Sequence, residues 1–391
     1  MPSVDPWIGP RGTASRRLLA IMRASGPLTR PELARLTGMS VSGIRPLVAE
    51  LVAAGEVAEQ DPLSTADRGP GRPGALLVPT VPDGLVVGLD FGHTHVAVAV
   101  ADLGGRQLGR ERFVVDVDHR AEAALDKAAE LARGVLRQAG RRRREVIRVV
   151  AGVPGPVDGT GRVRSSTIVS SWWGLPIADE IAARLRIDAT AVDVENDAHL
   201  GALGERASGA GRAVDDFVYV KASHGLGAGL VLGGDLYRGA SGLTGELGHT
   251  IVDPDGELCR CGGRGCLETV VAIERVRDQV RFVTGTDAAE PLAVSGEAPA
   301  ARRIVLDAAR TLGRALADVC NLLDPQRIVL GGELAAAGDA LVDGVRESIV
   351  RYAQPGVAEV EVVIGELGEQ AQVTGAVTLA AARARAAAWA G

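Results

Sequence analysis

The sequence predicts an α/β body built by internal duplication, preceded by a small helical head. Three observations lead there. Charge is uneven: residues 1–80 hold nine Arg against seven acids, a net +2, and the remainder of the 391-residue chain is −8. Two strand–glycine turn–strand patterns recur more than a hundred residues apart, starting near Leu85 and Phe217. Further apolar runs end in polar residues or glycine pairs, where open α/β sheets bind ligands.

Composition bounds the function. With 46% hydrophobic and 24% charged residues the chain is globular, and wholesale disorder is excluded. Aromatics are only 3% and glycines number 51, so the core is built from aliphatic side chains and close backbone approaches. A net charge of −6 excludes a protein that coats nucleic acid with its whole surface. The first residues lack the basic and apolar regions of a signal peptide, and no 18-residue apolar run follows. A soluble, cytoplasmic protein without a membrane partner is expected. Three of the four cysteines, Cys259, Cys261 and Cys266, fall within eight residues, which in a reducing compartment favours a metal over a disulfide.

In the head, Ser15 to Ser25 has the apolar spacing of a helix, with Leu18, Leu19, Ile21 and Met22 on one side. Thr29-Arg30-Pro31-Glu32 reads as a helix start, and Gly38 as its stop. Ser40 caps a third helix running to Ala54, in which Pro46 must kink the chain or forgo one backbone bond. Two short helices joined by Thr37-Gly38-Met39 resemble a helix-turn-helix. Residues 56–59 and 75–78 follow as two wing strands, joined by a Gly/Pro-rich loop carrying Arg68 and Arg72. Such a loop suits a narrow minor groove, while Ser40, Ser42 and Arg45 on the third helix suit phosphates and base edges. A plain three-helix packing module is the alternative.

The body begins with Leu85 to Asp90, a turn at Phe91-Gly92-His93-Thr94, and a strand from Val96 to Val100. The second copy runs from Phe217 to Lys221, turns at Ser223-His224-Gly225 and returns through Gly227 to Leu232. Paired hairpins of this kind hold nucleotide phosphates on backbone N–H groups in actin-like ATPases and sugar kinases; ordinary β-hairpins are the alternative. Further strands end at Gly155, at Glu195-Asn196-Asp197 and at Gly331-Gly332. His93 and His95, at i and i+2, offer a second candidate metal pair on one strand face. Residues 285–300 read as an exposed loop, and residues 371–390 as a terminal helix.

The most specific element is His249-x9-Cys259-x-Cys261-x4-Cys266-Leu267-Glu268, preceded by Gly245-Glu246-Leu247-Gly248. One imidazole and three thiolates make a closed tetrahedral site for structural Zn2+. With this stretch the chain resembles the ROK (repressor, open reading frame, kinase) family over nearly all its length. The resemblance implies a two-lobed actin-like or sugar-kinase (ribonuclease H-like) fold behind a winged helix-turn-helix. It implies a winged-helix domain at 1–80, a first lobe at 81–195 completed by residues 371–391, and a second lobe with the zinc site at 196–370. It also implies sugar binding by Asn196, Asp197, Glu246, His249 and Glu268, with Asp197 as catalytic base if kinase activity is retained. Asp90, Gly92, Thr94, Gly225, Gly227, Gly331 and Gly332 stand at phosphate-binding positions. The chain departs from the kinase pattern at two points: His93 replaces a hairpin glycine and His224 a small threonine.

The expected function is therefore a sugar-responsive, DNA-binding transcriptional regulator, a repressor. Its partners are a double-stranded DNA operator and a sugar or sugar phosphate, and it acts as a homodimer or dimer of dimers. The alternative is an ATP- and Mg2+-dependent hexose kinase carrying a regulatory DNA-binding head, and a protein scaffold is a third.

Overall fold

The computed structural model describes residues 14–53, 55–60, 75–80, 84–165, 167, 169–285 and 299–388. The chain divides into two units, Met1–Pro82 and Asp83–Gly391.

In the first unit, helices α1 (Ala14–Ser25), α2 (Arg30–Thr37) and α3 (Val41–Ala53) enclose an aliphatic core that includes Leu18, Met22, Leu33, Ile44 and Val48. The α2 start follows its sequence logic. Glu32 reaches back to accept from the Thr29 N–H at 2.8 Å and the Thr29 hydroxyl at 2.7 Å, satisfying donors that the helix leaves orphaned. Ser40 Oγ accepts from the Gly43 N–H at 3.1 Å and so caps α3, which continues through Pro46. The two wing strands, β2 (Val57–Gln60) and β3 (Leu76–Pro79), lie one residue later than the sequence pattern predicts. A third strand unforeseen in the sequence, β1 (Leu28–Thr29), pairs with the other side of β3. The loop bearing Arg68 and Arg72 lies outside the described residues.

The second unit holds two five-stranded sheets of identical topology. The first contains β4 (Leu85–Gly92), β5 (His95–Asp102), β6 (Gln107–Val114), β7 (Val146–Val153) and β8 (Val192–Asn196). Its order is β6-β5-β4-β7-β8, antiparallel through the first three strands and parallel through the last three. Helices α4 (Ala121–Gln138) and α5 (Ile177–Leu185) accompany it, and α6 (Asp197–Ser208) starts directly where β8 ends. All eight residues of β4 are buried, as expected of a central strand covered on both faces.

The second sheet repeats the plan with β9 (Phe217–Ala222), β10 (Leu226–Leu232), β11 (Asp235–Tyr237), then α7 (Glu268–Val271), α8 (Ile273–Thr284), α9 (Pro299–Leu323), β12 (Arg327–Gly331), α10 (Asp339–Tyr352) and β13 (Glu361–Ile364). Its order is β11-β10-β9-β12-β13. The duplication inferred from the glycine-turn hairpins is thus present strand for strand. The chain ends in α11 (Ala371–Ala388), which returns to pack on α6, β4 and β7. Two glycines make the α6–α11 crossing possible: a Cβ on Gly375 would lie 1.8 Å from the Leu200 carbonyl oxygen, and one on Gly204 would lie 2.1 Å from that of Ala371. Because α6 also packs on β9 and β10, the β8–α6 junction lies where the two sheets meet. Among the described residues no helix is long and apolar enough to cross a membrane.

Candidate functional site

Asn196 and Asp197 occupy the β8–α6 junction. Asn196 is the helix cap, accepting from the His199 N–H at 3.1 Å, while its amide donates to the Gly155 carbonyl at 2.8 Å. With the cap supplied by its neighbour, Asp197 is left to receive the ammonium of Lys221 from β9, Nζ–Oδ2 2.5 Å. Both side chains are about nine-tenths buried. Burial opposes charge on Lys221, but Asp197 and the nearby Asp90 outweigh it and hold the ammonium charged. Asp90 itself is 1% exposed; one oxygen meets His95 Nε2 at 3.1 Å and Oδ1 has no hydrogen-bond partner. Lys221 escaped the sequence reading. It is one of only two lysines in the chain and the penultimate residue of an otherwise apolar strand, which is the available signal.

Beneath the junction, Glu195 accepts from Arg238 Nε at 2.8 Å and meets His199 Nδ1 at 3.0 Å. Burial alone would raise its pKa; the His199 and Arg238 contacts reverse this and bring it down to about 2. This ion-paired base braces the strand end that presents Asn196 and Asp197.

All five candidate sugar residues, Asn196, Asp197, Glu246, His249 and Glu268, line one cavity with Lys221. Burial, reinforced by the negative charge of Asp197, pushes the Glu246 carboxyl up to about 7. Glu268 Oε2 accepts the Leu226 N–H at 3.0 Å, which ties the β9–β10 turn to the start of α7. The cavity thus offers carboxylates, an amide and imidazoles at close range, the groups that bind adjacent hydroxyls of a sugar.

The cysteine loop adjoins this cavity. The ligand atoms of His249, Cys259, Cys261 and Cys266 all lie within 4.8 Å of one another. Cys261 and Cys266 Sγ are 3.6 Å apart, and Cys259 Sγ is 3.8 Å from His249 Nδ1. A tetrahedron with metal–sulfur bonds of about 2.3 Å has edges of about 3.8 Å, so the cluster has the dimensions of a zinc site. Burial and contacts with the other two thiols push Cys266 up to about 12. Gly265, at φ +68°, turns the loop back so tightly that a Cβ there would overlap the Asp253 carbonyl. The His93–His95 pair forms no second cluster. The β4–β5 turn separates them: His93 Nδ1 meets Asp118 Oδ1 at 2.7 Å, whereas His95 turns to Asp90.

A second cavity lies between the two hairpins. Gly92, Thr94 and Gly332 line it, as their phosphate positions imply, but so do His93, His224 and Glu333. Gly225 and Gly227 instead line the cavity that holds Asn196 and Asp197. Gly331 is closely packed on Tyr219, whose hydroxyl would lie 2.4 Å from an added Cβ. His224 is clamped between Glu274 (Nε2–Oε1 2.7 Å) and Glu333 (Nδ1–Oε1 3.2 Å). Burial works against its charge, yet the two carboxylates raise its pKa to about 9, and the same contact brings Glu333 down to about 2. The His93 and His224 rings face each other with centroids 5.8 Å apart.

Of the candidate DNA contacts, Ser40, Ser42 and Arg45 are exposed along the start of α3, with the Ser40 and Ser42 hydroxyls 3.0 Å apart.

A duplicated two-lobed α/β body with carboxylates, an amide and imidazoles gathered between its sheets, preceded in sequence by a winged helix-turn-helix, defines a protein of the sugar-kinase fold class. The chain belongs to the ROK family, which it matches over residues 86–383. It is 32% identical over 317 residues to a glucokinase of Thermotoga maritima, a match covering 75% of this chain and 96% of the kinase. It is 26% identical over 339 residues to the DNA-binding transcriptional dual regulator NagC of Escherichia coli, covering 83% of this chain and 81% of NagC. Among solved structures, a ROK family transcriptional regulator homologous to Escherichia coli MLC superposes with a TM-score of 0.74 at 26% identity, covering 95% of both chains.

Proposed function

We propose that the protein is a sugar-responsive, DNA-binding transcriptional regulator, a cytoplasmic repressor whose kinase-fold body senses a carbohydrate without phosphorylating it. One observation carries this: His93 and the clamped His224 stand face to face where the two hairpins meet, at the positions for which the kinase pattern has a glycine and a threonine, and bulky rings there disfavour the close backbone approach a triphosphate needs. Phosphoryl transfer needs the triphosphate held in line with the hydroxyl by close backbone donors and Mg2+. A misplacement of about 1 Å already costs about a hundredfold in rate. The sugar half, by contrast, is assembled in one cavity.

In this mechanism Asn196, Asp197, Glu246 and Glu268 bind hydroxyls, and Lys221 holds Asp197 in place. His249, Cys259, Cys261 and Cys266 hold a structural zinc ion, whose chemistry is to fix the loop that presents Glu246 and His249. Ser40, Ser42, Arg45, Arg68 and Arg72 contact the operator, and sugar binding shifts the spacing of paired heads in a homodimer or dimer of dimers. Half-sites on one DNA face lie about 34–36 Å apart, so a modest change abolishes simultaneous docking.

The second reading, an ATP-dependent hexose kinase with a regulatory head, is favoured by Asp197, which lines the cavity and matches the residue that acts as general base in the family's kinases. Incubation with ATP, Mg2+ and a hexose panel separates the two. Sugar binding without ATP and negligible ADP release are expected. ADP production at ordinary kinase rates, abolished by Asp197→Asn, selects the kinase.

A further inference from the structure

Building on the sugar-sensing role proposed above, and failing with it, we propose that the Asp118–His93 pair makes the cavity specific for a neutral, unphosphorylated sugar. His93 binds the hydroxyl nearest the phosphate hairpins and closes the cavity on that side.

The geometry points to this in three steps. First, His93 lines both cavities and is 9% exposed, so it forms the partition between them. Its Nδ1 is engaged by Asp118 Oδ1 at 2.7 Å, which leaves Nε2 as the ring nitrogen available to a ligand. That nitrogen borders the sugar side: a Cβ built on Gly225 would lie 3.2 Å from it and 3.4 Å from Glu268 Oε2. Second, the carboxylate that orients the ring is itself fixed. Arg260 of the cysteine loop approaches Asp118 Oδ2 at 3.4 Å. The Asp118 carbonyl accepts the Ser171 hydroxyl at 2.7 Å, and the adjoining Val117 carbonyl accepts Trp172 Nε1 at 2.8 Å. A ring held this firmly binds a hydroxyl at little ordering cost.

Third, the charge has the wrong sign for a phosphate. Asp197, Glu246 and Glu268 line the cavity, no arginine among the described residues does, and the ammonium that lines it, Lys221, is paired with Asp197. Beyond the partition, His224 is held by Glu274 and Glu333, and Arg112, the other cation lining that side, faces Glu369 at 3.8 Å. A sugar phosphate would bring a dianion against these carboxylates, where each cation among the described lining residues already faces a carboxylate, and unpaired charge of this kind excludes a competitor more strongly than a missing contact does.

Titration calorimetry of the full, zinc-replete chain tests this with glucose, mannose, N-acetylglucosamine and their 6-phosphates. The expected result is binding of one free sugar, with its 6-phosphate at least about 100-fold weaker. His93→Gln should weaken the free sugar by about tenfold or more, the loss of one hydrogen bond in a buried site. His93→Gly should open the partition and narrow the gap between sugar and 6-phosphate. Asp118→Asn, a second and milder variant, should weaken the sugar while leaving zinc content unchanged. Equal or tighter binding of a 6-phosphate, or undiminished sugar affinity in a folded His93→Gln variant, overturns the inference and leaves sugar sensing standing. Absence of binding by every free sugar and every 6-phosphate overturns sugar sensing itself.

Discussion

Replacing Lys221 by Met tests whether the Asp197–Lys221 pair organises the cleft. The perturbation removes an ammonium 2.5 Å from Asp197 Oδ2, between side chains that are only 8% and 11% exposed, and it also removes a counter-charge of the buried Asp90. Breaking a buried pair from one side typically costs about 3–5 kcal/mol, because a carboxylate is left without compensation. The Asp83–Gly391 unit has about 300 residues and so an unfolding entropy of about 0.6 kcal/mol/K; the thermal midpoint should fall by about 5–8 °C. Asp197→Asn should cost less, about 1–3 kcal/mol, since Lys221 retains Asp90 as a counter-charge. The double variant should be more stable than the sum of the two losses by at least about 1.5 kcal/mol, as expected for residues in direct contact. Calorimetric unfolding of the four proteins measures this cycle. Strict additivity would refute the assignment of Lys221 as the partner that holds Asp197.

Purified protein should carry about one zinc per chain, and Cys261→Ser should lose it together with part of the sugar response; metal analysis of chelator-free protein decides this. Arg45→Ala should relax operator preference at a cost of about 1–3 kcal/mol if its exposed side chain meets a base edge, whereas Arg72→Ala should weaken binding on all sequences and lower the salt slope by about one unit. Gel retardation on a selected operator at several salt concentrations distinguishes the two. The His224 clamp predicts a pH window. The pKa of His224 is raised from 6.5 to about 9, so its contribution is complete below pH 6.5 and is lost as pH rises through 9. Glu333, lowered from 4.5 to about 2, contributes above pH 4.5 and loses that contribution as pH falls toward 2. His224→Gln should flatten the alkaline limb of stability against pH, read by thermal unfolding.

Motifs with obligatory local geometry are legible in the amino-acid sequence. The Thr29–Glu32 helix start, the Ser40 cap, the two hairpins and the cysteine loop each rest on residues a few positions apart, and local hydrogen bonding fixes them. Strand β1 is not legible, because two residues carry no periodicity and gain their pairing only from β3, almost fifty residues later. The partners of the site residues escape for the same reason. Asp118 reaches His93 across 25 positions, Lys221 reaches Asp197 across 24, and Glu333 lies more than a hundred positions from His224. The sequence puts Asn196 and Asp197 together at a helix start, but which of them caps and which binds is decided by the Gly155 carbonyl and the Lys221 ammonium, both contributed from elsewhere.

The residues proposed to bind hydroxyls are distributed over both halves of the body, as a sensor requires. Asn196 and Asp197 stand at the end of the first sheet, whereas Glu246 and Glu268 follow strands of the second, so the cavity wall is shared between the two halves of the body. A sugar that bonds to both sides stabilises only those conformations in which the halves are together, and its apparent affinity falls by the fraction of molecules in which they are apart. Sensing and closure are then one equilibrium rather than two linked steps. To invert a 1:99 population the sugar must prefer the closed state by about 10⁴-fold, or about 5.5 kcal/mol. A few buried hydrogen bonds made to the second half only on closure supply that difference at about 0.5–1.5 kcal/mol each, and bonds to the charged carboxylates supply more. Phosphoryl transfer adds nothing to this balance, so a body that had lost its triphosphate site to His93 and His224 would keep its full capacity to respond.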